Sequence, residues 1–469
     1  MSACLTSRRL RHVIIALMLT FSLLVLVRQS LPAVRGAVAT TGSTYLVTST
    51  ADVTDAVPGD GVCDTGGGVC TLRAAIQEAN AHPGVDTIKV PSGSYQLTQL
   101  AHDGTITSGL IITASVTILG AGPNSTIIDG NSTALHARVF NITGTVTISG
   151  VAIQNGFSNN FAGGILNNGQ LTIVNSAILS NTASGVNDWG GGIATFGDLT
   201  VTNSLIRGNT TGSHNAYGGG IMNGGLGAVT VIDSTISGNH TYASTNPYSP
   251  GYGGGLYGAH LTVMNSTISG NTAAAGGGLY TQGALIINST ISGNDSNGDG
   301  GGLYAAAGTT NLFNGTVADN LANADDVGSA IGGGVYNHSG STFNFRNSII
   351  ALNGKVVVPG PFLYDSDCGG TISSQGHNLM YDPSDCIVNG SIITTNPSIE
   401  MLSDNGGRTQ TQALQPWSPA INAGEAPYCT DQLGAPITID QRSVSRPANG
   451  CDIGAYEYQW TVYLPLVRR

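Results

Sequence analysis

Gly190-Gly191-Gly192-Ile193-Ala194-Thr195-Phe196-Gly197-Asp198-Leu199-Thr200-Val201-Thr202-Asn203-Ser204-Leu205-Ile206-Arg207-Gly208-Asn209 holds one full unit of a pattern that fills the middle of the chain. The unit opens on a glycine run with one aliphatic residue and closes on Asn-Ser-x-Ile-x-x-Asn. Other openings are Gly163 to Ile165, Gly218 to Ile221, Gly253 to Leu256, Gly276 to Leu279, Gly300 to Leu303 and Gly332 to Val335. The closing phrase starts at Asn175, Asn203, Asp233, Asn265, Asn288, Asn314 and Asn347, and ends at Asn181, Asn209, Asn239, Asn271, Asn294, Asn320 and Asn353.

The leading positions lie 28, 30, 32, 23, 26 and 33 residues apart. Such a period fits a solenoid with loops of varying length, not a heptad or a propeller blade. No unit holds a helix-length run of 3.6-residue periodicity, whereas Leu199-Thr200-Val201 and Leu261-Thr262-Val263 alternate as a strand with one buried face does. The expected fold is all-β: a single-stranded right-handed parallel β-helix, with an N-terminal capping helix and a disulfide-containing C-terminal cap. Glycine permits positive φ at tight corners. Asn at one place in every rung is read as a structural ladder of stacked amides at 175, 203, 233 (Asp), 265, 288, 314 and 347, with the Ile of each phrase pointing inward.

Composition agrees with this. The chain has 469 residues, 68 of them glycine; 9% are charged and 41% hydrophobic. That hydrophobic content argues against disorder. A net charge of -11 without a basic stripe excludes nucleic acid as a natural partner.

The N-terminus reads as an export signal over residues 1–39. Arg8, Arg9 and Arg11 precede an apolar stretch from Val13 to Val27, and Ala37-Val38-Ala39 offers a cleavage site. An uncleaved anchor is the other reading, though the apolar run is short for a spanning helix. Six cysteines follow the signal, grouped as Cys63/Cys70, Cys368/Cys386 and Cys429/Cys451 outside the repeats. They are expected to form three local disulfides in an oxidising compartment. The divisions are residues 1–39, a cap and first rung at 40–110, repeats at 111–353, and a C-terminal cap and tail at 354–469.

Leu72, Ala75, Ile76 and Ala79 lie at i, i+3, i+4 and i+7, and Pro83-Gly84 ends that pattern. A short helix here would cover the open end of the first rung. The surrounding residues resemble the CSLREA domain: Cys70-Thr71-Leu72-Arg73-Ala74-Ala75-Ile76, then Asn80, Pro83-Gly84, Asp86-Thr87-Ile88, Pro91, Gly93, Tyr95 and Leu97. Thr71 and Ala74 depart from the six letters of that name. The resemblance implies a secreted bacterial or archaeal surface protein with a β-helix downstream, and no chemistry. A structural ion pair is expected of Arg73.

Near the other end, Asn405-Gly406-Gly407-Arg408-Thr409-Gln410-Thr411-Gln412-Ala413-Leu414, Ser418-Pro419-Ala420-Ile421-Asn422-Ala423-Gly424, Asp440-Gln441-Arg442, Arg446-Pro447 and Cys451-Asp452-Ile453-Gly454-Ala455-Tyr456-Glu457 resemble the choice-of-anchor Q domain of exported bacterial proteins. Its Arg, Asp and Glu residues are expected to pair and seal the last rung. The glycine-aliphatic and Asn-ending repeats resemble those of chlamydial polymorphic outer-membrane proteins and, more broadly, the pectin-lyase-like β-helices. The last eight residues, Val462 to Arg469, read as a sorting tag or an edge strand.

Polygalacturonase-like enzymes of that fold use Asn-Thr-Asp, Asp-Asp, Gly-His-Gly and Arg-Ile-Lys; only Asp325-Asp326 occurs here. The seven repeats hold Arg207 and, at the last, Arg346 as their basic residues besides histidine, which argues against catalysis on the repeat faces. Asp52, Asp55, Asp60 and Asp64 form either a solvated loop or a Ca²⁺ site. No cofactor is expected unless Ca²⁺, for which Asp295, Asn297 and Asp299 are the candidate ligands in Asp295-Ser296-Asn297-Gly298-Asp299-Gly300; the twelfth position is Ala306 rather than Glu. Tyr257, Tyr280, Tyr304 and Tyr336 follow successive glycine runs and form either a strip for glycans or a ladder bracing the sheet. The function expected is that of an exported cell-surface or secreted rod with a structural or adhesin-like role. Its partners would be extracellular glycans or proteins, and it would meet a membrane through the export signal or a surface anchor. The alternative is a carbohydrate-active enzyme, lyase or glycosidase, or a glycan-binding module.

Overall fold

A computed structural model describes residues 42–102, 107–185, 188–212, 215–242, 251–327, 329–357, 362–425, 429–431 and 433–460. The expected export signal and the expected C-terminal tag lie outside them. Residues from Gly42 onward form one compact unit.

The repeat unit becomes one rung of a parallel β-helix with three sheets. In one rung, Ile193–Thr195 and Asp198–Thr202 lie in the first sheet, Leu205–Arg207 in the second and Thr210–Thr211 in the third. The next rung repeats this at Ile221–Asn223, Val229–Ile232, Thr235–Ser237 and His240–Thr241. Pairing is parallel and in register: Ile193 faces Ile221, Val201 faces Val231, and Ile206 faces Ile236. Among the described residues the sheets hold 22, 11 and 9 strands, and the eleven of the second sheet give a stack about 48 Å long at the usual strand spacing.

Alternation puts one face of each strand inside. Ile178, Ile206, Ile236, Ile268, Ile291, Val317 and Ile350 form one fully buried column. A single apolar core runs from Tyr45 to Met380. The glycine runs allow rungs to approach closely. A Cβ on Gly254 would stand 2.4 Å from the Gly277 carbonyl oxygen of the next rung. The first glycine of each three-glycine run turns the chain at positive φ, as at Gly276 with φ 63°, and Ala162 takes that place before Gly163 with φ 52°.

At the N-terminal end α1, Leu72–Ala81, closes the stack. Thr71 caps it by accepting a hydrogen bond from the Ala74 amide, and it ends before Pro83-Gly84. More of α1 is buried than the apolar face. Arg73 holds Asp52 at 2.6 Å and donates to the Gly109 and Gln99 carbonyls. Glu78 accepts from the Gly59 and Gly61 amides, and Asn80 accepts from Thr113 and Ala114, which join Leu110–Ile112 to Ser115–Gly120. Polar side chains thus tie α1 to the loop before it and to the rung beneath.

The three cysteine pairs are bonded: Cys63–Cys70, Cys368–Cys386 and Cys429–Cys451. The first braces the loop before α1, the second ties the last rung, and the third lies in the segment that follows.

That segment covers the outer side of the last rungs, and its charges pair within it. It runs back outside the second sheet as a strap. Leu414, Ala420 and Ile453 pack on Ile349, Ala351 and Leu379. Gln441 accepts from Thr290 and donates to Thr267, while Thr409 donates to the Asn265 carbonyl. Arg446 is buried under the strap, bonded to Glu457, to the Asp452 and Gly454 carbonyls and to Asn288. Arg442 pairs with Asp440 at 2.7 Å and lies 3.5 Å from the Tyr456 ring centre. Arg442 therefore binds the strap to itself, and Arg446 joins it to Asn288 in the middle of the rod. A strand face whose outer hydroxyls and carbonyls need partners offers such a segment a long docking surface.

Candidate functional site: polar and aromatic columns along the rod

The repeated asparagines occupy two columns with different jobs. The leading residues Asn175, Asn203, Asp233, Asn265, Asn288, Asn314 and Asn347 all sit at the corner between the first and second sheets, with φ of 46 to 50°. Asn and Asp tolerate this left-handed conformation better than other non-glycine residues. Among the described residues, one amide-to-amide bond joins this column, from Asn203 Nδ2 to Asn175 Oδ1. The leading column is therefore a set of corners. It is not the continuous amide ladder expected of it.

The ladder is the trailing column. Asn181 Nδ2 donates to Asn209 Oδ1, Asn209 to Asn239, Asn239 to Asn271, Asn271 to Asn294, Asn294 to Asn320 and Asn320 to Asn353, all at 2.9 to 3.0 Å. Each backbone amide in turn donates to the next Oδ1, as Asn271 N does to Asn294. Each second Nδ2 proton reaches a carbonyl of the preceding rung, as Asn271 does at Ile236. All seven side chains are buried. A chain of one-way donors needs an acceptor at its end, and Asp367 supplies it. Asp367 Oδ1 accepts both from Asn353 N and from Asn353 Nδ2. A parallel hydroxyl ladder runs beside it, with the Ser176, Ser204 and Ser234 amides donating to Ser204, Ser234 and Ser266 Oγ.

Burial pushes the Asp367 carboxyl up to about 7, against the hydrogen bonds it accepts from Asp382 and Asn353. Burial likewise raises Glu457 to about 7, despite Arg446. Both folded values exceed those of the unfolded chain, so the folded state holds these protons more tightly. Their stabilising contribution is full below about pH 4 and is lost as pH rises through about 7. We expect thermal midpoints to fall between pH 5 and pH 8, measured by circular dichroism. Equal midpoints would contradict the assignment.

On the outer face of the first sheet, Tyr257, Tyr280, Tyr304 and Tyr336 stand in register in successive rungs. Tyr280 and Tyr304 stack with centres 4.8 Å apart at 9°, and Tyr257 and Tyr280 at 5.3 Å and 18°. A second column was not seen in the sequence. Trp189, Tyr217 and Tyr252 bridge one another, and Tyr217 stacks on Tyr257 at 4.6 Å and Tyr252 on Tyr280 at 4.6 Å. Phe161 and Phe196 extend the run past Trp189. The available signal was an aromatic residue directly before a glycine run, at Trp189-Gly190, Tyr217-Gly218 and Tyr252-Gly253.

Ring spacing equal to rung spacing means that the faces of the stacked tyrosines cover one another along the axis. Each ring is partly buried against its neighbours, so the arrangement braces the sheet. Burial pushes Tyr257 and Tyr304 up to about 12 and Tyr280 higher still. A spectrophotometric titration should show these phenols ionising after ordinary tyrosines, with the fold weakening as pH rises through their folded values. Replacing Tyr280 with Ala removes three stacked partners and should cost about 2 kcal/mol in urea unfolding. A change below about 0.5 kcal/mol would contradict the bracing role.

The candidate Ca²⁺ ligands lie at a turn of the third sheet. Asp295 pairs in register with Thr272, Asn297 N donates to the Ala273 carbonyl, and Asp299 Oδ1 accepts from Ile331 N. Desolvation raises Asp295 and Asp299 above the usual carboxylate range. In the N-terminal loop, Asp52 is bound by Arg73, while Asp55, Asp60 and Asp64 accept from backbone amides, Asp64 from Gly66 to Val69. Among the described residues, no three His, Cys, Asp or Glu side chains group to hold a metal ion.

No protein-family model and no curated protein matches the chain. A crystal structure of pectate lyase Pel9A is similar with a TM-score of 0.46 and 15% identity, covering 89% of this chain and 97% of that one.

Proposed function

We propose that this protein is an exported, non-catalytic surface rod with a structural or adhesin-like role. The observation that supports it most is the axial bonding of the repeat's polar and aromatic columns. The Asn side chains, the Ser hydroxyls and the tyrosine rings bind one rung to the next, and acids at both ends are engaged by Arg73, Arg442, Arg446 and backbone amides. Such a solenoid resists bending and local fraying and presents long faces to a partner. Three disulfides fit an oxidising compartment. The resemblance of the chain's ends to CSLREA and choice-of-anchor Q domains supports attachment at a cell surface.

The test has two parts. Fractionation of native cells should find the protein in the envelope or medium. A lyase and hydrolase screen on acidic and neutral polysaccharides, with and without Ca²⁺, should show no turnover. Release of unsaturated or reducing ends by the purified protein would overturn this reading in favour of a carbohydrate-active enzyme.

A further inference from the structure

The strap reaches along the second sheet to Asp233, where Arg408 stands 3.6 Å from that carboxylate. Among the described residues it bonds to no earlier rung. Beyond its end, the outer face of the sheet forms a trough of 540 Å³, walled at the far side by Pro123 and Asn124 of an enlarged corner. Leu179, Leu205 and Thr235 lie on its floor. Arg207 enters from the rung between, in register with Leu179 and Ser237, and is exposed. The Arg207 side chain makes no hydrogen bond or ion pair among the described residues. Two guanidiniums 201 positions apart in sequence thus line one groove of an acidic protein, beside the carboxamides of Asn175 and Asn203.

We propose that this trough binds an extracellular glycan bearing oxyanions, carboxylate or sulfate, laid along the rod axis. Guanidinium forks match such planar or tetrahedral oxyanions with paired hydrogen bonds. Asp233 holds one edge of Arg408 and leaves its remaining donors to the groove. The corner amides and Thr235 suit sugar hydroxyls, and the leucines suit the apolar face of a ring. An acidic peptide would use the arginines alone and leave the amides and leucines idle. The proposal rests on the rod reading, whose partner it names.

The test is retention of the purified full chain on immobilised dextran sulfate, alginate, neutral dextran and polyglutamate. Binding is expected to dextran sulfate or alginate, whichever carries the preferred oxyanion, and to be lost in 0.5 M salt because both arginines are exposed to screening (the Debye length is then only about 4 Å). Arg207→Gln should weaken it about tenfold without moving the thermal midpoint, since Arg207 has no structural partner, and Arg207→Lys should retain more. Arg408→Gln should weaken it similarly. Equal retention by neutral dextran or polyglutamate, or Arg207→Gln binding as the parent does, would overturn the proposal. Cell fractionation and the turnover screen do not depend on either arginine, so failure here leaves the rod reading to its own test.

Discussion

Asn271→Ala should lower stability by about 4 kcal/mol, read as a fall in the urea midpoint followed by circular dichroism. Asn271 is buried at the middle of the amide ladder. Its Oδ1 accepts from both Asn239 N and Asn239 Nδ2, and its Nδ2 donates to Asn294 and Ile236. Removing it leaves two buried donors of Asn239 with no acceptor, each worth roughly 1–3 kcal/mol, and opens a void against Gly255. Asn265→Ala is the matched control. Asn265 is a corner with φ 49°, so Ala adds only left-handed strain, about 1 kcal/mol. Similar losses at both sites would mean that the two columns do not differ as described.

Arg446→Met should loosen the strap's own fold at a cost of roughly 3–5 kcal/mol, the usual effect of removing one partner from a buried ion pair. Arg446 holds Glu457 at 3.0 Å and also donates to the Asp452, Gly454 and Ile439 carbonyls and to Asn288 Oδ1. Met fills much of the volume but meets none of these acceptors. Limited proteolysis is the readout: cleavage should begin within residues 394–460 while the far-ultraviolet spectrum of the rod persists. Resistance equal to the parent protein would show that the clamp does not hold the strap.

The rungs could be read from the sequence because their signals are local. Alternation in Leu199-Thr200-Val201, the glycine openings and the fixed spacing inside Asn-Ser-x-Ile-x-x-Asn together leave one architecture that satisfies them all. Which Asn column would form the amide ladder was not legible, since both recur equally. The difference arises in space: the leading residues stand at corners with φ near 50°, where Asn288 and Asn347 meet the strap, whereas Asn181 and its successors follow the second sheet and bond to one another. Asp367 escaped notice as the end of that ladder because it lies beyond the last repeat. Trp189, Tyr217 and Tyr252 were hidden by loops of unequal length, which keep them at no constant offset from the asparagines. The path of the strap was not legible at all. Gln441 and Arg446 meet Thr290 and Asn288 across 151 and 158 residues, and nothing in the repeat pattern encodes that register.

The account stands on rungs stacked in the register given above, and paired cysteines test it most directly. Thr200 pairs with Thr230, and Thr230 with Thr262, all on the outer side of the first sheet. Neighbouring partners lie within disulfide reach, about 5 Å between Cα atoms, while residues two rungs apart do not. Thr200→Cys with Thr230→Cys should oxidise to a bond seen in peptide mass spectra, and Thr200→Cys with Thr262→Cys should remain two free thiols. A bond in the second variant and none in the first would contradict the stacking.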